Sequence, residues 1–132
     1  MDNAASAPIS FRGTTKLRMG RLLVSIPASA MPSGLTGCRV EAKEKGTSGE
    51  YGFELNDTVW DVNIYCDRED IRELFDSIKI CLIPRDGAVN GKAVYQQHAG
   101  SFSVLQAVAG ENGYVCGLAE RLSLFTLGLV QE

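Results

Sequence analysis

Apolar and polar positions alternate with a period of two along much of this chain, and that alternation predicts strands. Cys38, Val40 and Ala42 alternate with Arg39, Glu41 and Lys43, the pattern of a strand with one buried and one wet face. The same alternation runs through Tyr51, Phe53 and Leu55 and again through Trp60, Val62, Ile64 and Cys66. Between those two runs stand Asn56 and Asp57, residue types that tolerate the positive φ of a two-residue hairpin turn. The pattern predicts a hairpin in which Phe53 faces Trp60 and Tyr51 faces Val62.

One segment breaks the period. Ile71, Leu74, Phe75 and Ile78 recur at i, i+3, i+4 and i+7, the spacing of an apolar stripe on a helix. Asp67 stands where an N-cap belongs, with Glu69 and Asp70 in the first turn, where carboxylates interact well with the helix dipole. The prediction is an amphipathic helix over Asp67–Lys79. Elsewhere Lys16–Ile26 reads as one strand bent near Gly20, 28–37 as a loop with one proline and two glycines, and Lys92–His98 and Phe102–Ala109 as strands. Tyr114–Val130, broken near Glu120 and Arg121, fits strand better than helix, because Gly128 and its Ser and Thr content weaken the helical stripe. The expected fold is therefore α+β: a predominantly antiparallel sheet of about seven strands, twisted or curled into a half-barrel, with one amphipathic helix packed on it. Residues 1–10 read as a flexible N-terminal arm and 11–132 as a single domain.

Composition adds little to the class but something to the surface. The 132 residues are 45% hydrophobic and 22% charged, ordinary values for a globular chain. The net charge of −3 is unevenly spread. Arg12, Lys16, Arg18 and Arg21 make residues 1–23 basic, whereas residues 50–76 carry nine carboxylates against Arg68 and Arg72. An acidic block of this kind repels nucleic acid and attracts basic partners. The longest apolar stretch, Leu118–Val130, is interrupted by Glu120 and Arg121 and is too short to span a bilayer as a helix. Cys38, Cys66, Cys81 and Cys116 show no zinc-ligand spacing. Each lies in an apolar run, where a free thiol behaves as a small hydrophobe, so four reduced, buried cysteines and a cytoplasmic location are expected.

Catalytic chemistry finds few carriers. His98 is the single histidine, so a Ser-His-Asp or Cys-His site would have to use it and a multi-histidine metal site is excluded. The Gly87–Ala93 segment is one residue short of a phosphate-binding loop and has Ala where the metal-binding Ser or Thr belongs. Nucleic-acid binding would need aromatics interleaved with bases, and only Phe11 accompanies the basic stripe. What remains is the acidic block. The function expected from sequence is a non-enzymatic interaction module of inhibitor or immunity type. It would bind a basic protein through an acidic hairpin–helix surface made of Asp57, Asp61, Glu69, Asp70, Glu73 and Asp76, without metal or cofactor, with a homodimer through a sheet edge as a further possibility. The alternative is a small-molecule binding domain whose pocket is lined by aromatics such as Trp60, Tyr65 and Tyr95, and the third is a small enzyme built on His98.

Overall fold

A computed structural model describes residues 4–32, 37–67 and 69–130. Residues 1–3 of the expected arm, 33–36 of the expected loop and Arg68 of the expected helix lie outside the described residues. The strands are β1 (Ala4–Pro8), β2 (Thr15–Met19), β3 (Leu22–Ile26), β4 (Cys38–Thr47), β5 (Thr58–Cys66), β6 (Glu69–Ile71), β7 (Glu73–Leu82), β8 (Lys92–His98), β9 (Ser101–Val104), β10 (Gln106–Val108), β11 (Val115–Arg121) and β12 (Leu124–Leu129). They form two antiparallel sheets. One runs β1-β4-β5-β12-β8-β9, with β6 added to the far half of β5, and the other runs β10-β11-β7-β3-β2.

The inner faces meet in one core. Leu22, Val24 and Ile26 of β3 and Ile78, Ile80 and Leu82 of β7 belong to the same buried cluster as Val40, Val62, Ile64, Phe125 and Leu127 of the larger sheet. Alternation explains the partition: over 38–42 of β4 and 60–66 of β5 the even-numbered residues are buried and their odd-numbered neighbours are not. In β3 every residue is buried, because Leu23 on its other face joins Cys81 and Cys116 in a second, smaller cluster roofed by Val108 and Tyr114. A strand covered on both faces reads as a continuous apolar run, which is what 22–26 is.

The sheets are tied together by strands that pass from one to the other. β6 continues into β7 through Arg72, β9 into β10 through Leu105, and β11 into β12 through Leu122 and Ser123. Strands that switch sheets in this way let two packed sheets share one chain. Each corner keeps its backbone groups paired: Leu105 donates to Val94, Leu122 to Arg72, and Val62 to Ser123.

Several expectations are corrected. There is no helix over Asp67–Lys79; the described residues form β6 and β7, so the α+β assignment gives way to antiparallel β-sheet. The helical stripe fails at Phe75, which is 74% exposed, while Ile78, Ile80 and Leu82 continue in strand phase past the end of the expected helix. Asp67 has φ of 55° and turns the chain between β5 and β6 instead of capping a helix. The predicted 51–55/58–66 hairpin does not form either. β5 pairs with β4, Cys38 opposite Cys66 and Ala42 opposite Val62, and Trp60 lies opposite Glu44. A long hairpin of two half-buried strands satisfies many more backbone groups than a short one, and it leaves 48–57 free to fold as a loop.

At the other positions the differences are local. The expected arm carries β1, which pairs along β4. Lys16–Ile26 is a hairpin, not one bent strand: Gly20, at φ of 56°, and Arg21 turn β2 into β3 so that Met19 lies opposite Leu22. The cysteines are not reduced. Cys38–Cys66 and Cys81–Cys116 are disulfides between directly opposite residues of neighbouring strands. Leu118–Val130 holds strand, as the sequence favoured. Among the described residues no helix is long and apolar enough to cross a membrane.

The turn before β8 gives a pH-dependent prediction. Asp86 accepts from the Lys92 ammonium and from the Ala88 amide, and these bonds, the Lys92 bond first, hold its carboxyl below the ordinary 3.8. A carboxyl depressed in the folded state stabilises fully above its unfolded pKa, and that contribution is lost as the pH falls through the folded one. Asp86→Asn is therefore expected to lower the denaturation midpoint at neutral pH and to converge with the parent protein as the pH falls from 3.8 through the depressed folded pKa, read from paired denaturant titrations. Equal separation at neutral and at acid pH would refute the assignment.

Candidate binding cleft

The ten-residue excursion between β4 and β5 is held by its ends. The Ser48 amide donates to the Asp57 carbonyl (2.6 Å) and the Asp57 amide to the Ser48 hydroxyl (2.8 Å), which in turn donates to the Leu55 carbonyl. Inside this knot Thr47 and Glu50 form a reciprocal capping box around a single 3-10 turn, Ser48–Tyr51. Asn56 accepts from the Gly49 amide at 3.1 Å. Gly52, at φ of 90°, reverses the chain and brings Tyr51 and Phe53 onto the β8–β9–β12 end of the larger sheet.

There the loop meets three strands. The Tyr51 and Phe102 rings lie 5.5 Å apart at 70°, Phe102 and Phe53 5.1 Å apart at 86°, and Phe53 and Tyr95 5.4 Å apart at 79°. Edge-to-face contacts of this kind suit the ring quadrupoles. Gly128 makes the approach possible, since a Cβ there would stand 2.6 Å from the Tyr95 ring and 2.8 Å from the Phe53 ring. The Tyr95 hydroxyl donates to the Leu129 carbonyl at 2.7 Å, which ties the aromatic row to the end of β12.

Together these residues enclose an open cleft of about 610 Å³, lined by Tyr51, Phe53, Tyr95, Phe102, Leu129 and Val130. That volume falls in the range of small-molecule sites, which combine apolar walls with a few polar groups. Tyr51 is 40% and Val130 50% exposed, so the apolar wall is open to solvent. Among the lining residues Glu54 alone carries a formal charge.

The residues singled out from sequence are placed elsewhere. Asp57 is 4% exposed; its carboxylate accepts from the Thr58 amide (2.7 Å) and the Arg85 amide (3.1 Å), so it anchors the loop from within. Asp61, on the outer side of β5, accepts from the Asn63 amide group. Glu69 and Asp70 lie on β6 of the larger sheet, with Asp70 3.7 Å from Arg72. Glu73 and Asp76 lie on β7 of the smaller sheet. Glu73 stands 3.6 Å from Arg121; Asp76 accepts from the Ser29 hydroxyl and the Ser77 amide, which hold its carboxyl below the usual range. The acidic block is thus spread over both sheets, and the hairpin–helix surface meant to carry it is not formed.

Of the aromatics named for a pocket, Tyr95 lines the cleft, Trp60 is 3% exposed in the core and Tyr65 stands on β5 opposite Asp70. His98 accepts from the Arg121 guanidinium, whose nitrogen is 3.0 Å from Nε2. All four cysteines are in disulfides, so no thiol partners it. No group of His, Cys, Asp and Glu suited to a metal occurs among the described residues. Sequence reasoning missed Tyr51, Phe53 and Phe102 as site residues because it had assigned the first two to a strand. Their signal was the placing of aromatics close to glycines, Tyr51-Gly52-Phe53 in a loop and Gly100-Ser101-Phe102 at the start of a strand.

No protein-family model, curated protein or solved structure matches this chain significantly.

Proposed function

We propose that this chain is a non-enzymatic binding module that takes its ligand in the aromatic cleft under the 48–57 loop. One observation carries the proposal: a cleft of ligand size whose aromatic and aliphatic wall stays open to solvent although it is built on a rigid sheet. Exposed apolar surface that is concave and organised in this way is what binding sites consist of. The rings are set by packing against one another and against Gly128, so little ordering remains to be done on binding. The surface centred on Glu69, Asp70, Glu73 and Asp76 does not share this organisation. The two disulfides favour an oxidising compartment, and the expectation of a reducing cytoplasm loses its premise.

The test is a fragment titration followed by NMR on the isotopically labelled protein. Shift perturbations are expected to cluster on Tyr51, Phe53, Tyr95 and Phe102, and the Phe102→Ala variant, still folded, is expected to bind the same fragments at least about fivefold more weakly. Perturbations scattered over the two sheets, or concentrated around Glu69 and Glu73, would overturn the proposal.

A further inference from the structure

We infer that the cleft is selective for an organic ammonium group, a cation with an apolar body such as a quaternary or methylated amine. The inference rests on the cleft being the binding site and concerns which chemistry it selects. Three features of the wall agree. First, rings meeting at 70° to 86° present π surface from more than one direction. A cation whose charge is spread over methyl groups gains from such faces, where a compact hydrated ion would first have to shed its water.

Second, the ionic balance is one-sided. Glu54 is the sole formally charged lining residue, and neither Lys nor Arg lines the cleft. The cation entering β8, Lys92, is already engaged by Asp86. An anionic ligand would find no counter-charge there, whereas a cation would meet one carboxylate at the rim. Third, the Tyr95 hydroxyl spends its proton on the Leu129 carbonyl, so what its oxygen can still offer a ligand is lone pairs. An ammonium group is drawn to such acceptors and to aromatic faces alike by its positive charge: a partly methylated amine donates its remaining N–H to such an oxygen, and a quaternary one, which has no N–H, meets it through its polarised methyl groups.

Choline and its neutral carbon isostere, 3,3-dimethylbutan-1-ol, separate charge from shape. Isothermal titration is expected to give choline an affinity at least about tenfold above that of the alcohol. Glu54→Gln, on an exposed side chain, is expected to weaken choline about threefold or more and the alcohol by clearly less. Phe102→Leu is expected to weaken choline more than the alcohol, since it keeps apolar bulk and removes the π face. A peptide bearing one trimethyl-lysine forms a second arm: affinity well above that of choline assigns the group to a protein side chain, and affinity at or below it to a free metabolite, both in line with the inference. Equal binding of choline and alcohol would overturn the ammonium selectivity and leave the cleft as the site. Binding of neither, while neutral fragments still perturb Tyr51 and Phe102, would do the same. Failure of every probe at the cleft would overturn both.

Discussion

Removal of the two disulfides is expected to cost this protein most of its folding free energy. Cys38–Cys66 closes a loop of sequence separation 28 and Cys81–Cys116 one of 35, and the two loops do not overlap. On the chain-entropy model each bridge contributes about 3.5 to 4 kcal/mol. Their sum, about 7 kcal/mol, is comparable with the whole stability of an ordinary domain, about 5–15 kcal/mol. Cys81 and Cys116 also make up most of the small cluster around Leu23, so their loss should be felt more than that of Cys38 and Cys66. Alanine pairs are the right variants, because a serine hydroxyl at these buried positions would need a partner. Each pair variant should lower the urea midpoint by about 2 M for a slope near 2 kcal/mol/M. The effects should add, since the bridges sit in different sheets. Because all four sulfurs are buried, reductant alone should act slowly and reductant with urea quickly. A midpoint unmoved by either variant would refute this account.

The two bridges also show where the sequence was legible and where it was not. Cys38 and Cys66 each sit in register with a clean alternation, Cys38-Val40-Ala42 and Trp60-Val62-Ile64-Cys66, and both strands were assigned from it. What the alternation could not show was which strand pairs with which. Pairing is a non-local choice, and one sequence contains the periods of its strands but no statement of their neighbours. The expectation of free thiols came from the apolar runs around the cysteines, and with 58–66 matched to 51–55 nothing placed Cys38 opposite Cys66 to set against it.

The missing helix has a different cause. Ile71, Leu74, Phe75 and Ile78 satisfy a helical stripe only if Phe75 is buried, and it stands in solvent. The competing period-2 signal, Ile78-Ile80-Leu82, begins at the last residue of that stripe and runs on past it. A strand that changes sheets at Arg72 places its two halves against different partners, so the burial phase is not continuous through the corner and local periodicity misreads it. The cleft was legible only through Tyr95. Its other walls are a loop and two strand ends, and their convergence depends on the same β4–β5 pairing.

The sharpest contrast between the sequence and the structure falls on Asp57, and replacing it is expected to be the most damaging single change in the cleft's support. As a surface carboxylate available to a partner, it could be changed to alanine at a cost within about ±0.5 kcal/mol. As observed, it is buried, and its two oxygens accept from the Thr58 and Arg85 amides, while its own backbone closes the knot with Ser48. Alanine leaves both amides without this acceptor, at about 1–3 kcal/mol for the buried Thr58 donor and less for the partly buried Arg85 one, so Asp57→Ala should lose about 2–4 kcal/mol overall. Asparagine keeps one acceptor oxygen and turns the other into a donor facing an amide, so Asp57→Asn should fall between alanine and the parent. The damage should also be local. Because this carboxylate joins the end of the loop to the start of the β7–β8 connection, amides of 48–57 should exchange with solvent much faster in Asp57→Ala, while those of β3 and β7 keep their protection until global unfolding. The aromatic row borrows Tyr51 and Phe53 from that loop, so ligand capture by the cleft should fall with the loop's protection, at temperatures where circular dichroism still reports an intact sandwich. Urea titration and hydrogen exchange on the two variants measure both effects. A neutral Asp57→Ala would mean that the loop, and with it the cleft, does not depend on this carboxylate and is held by the backbone and Ser48 hydroxyl bonds of the knot, which alanine leaves in place.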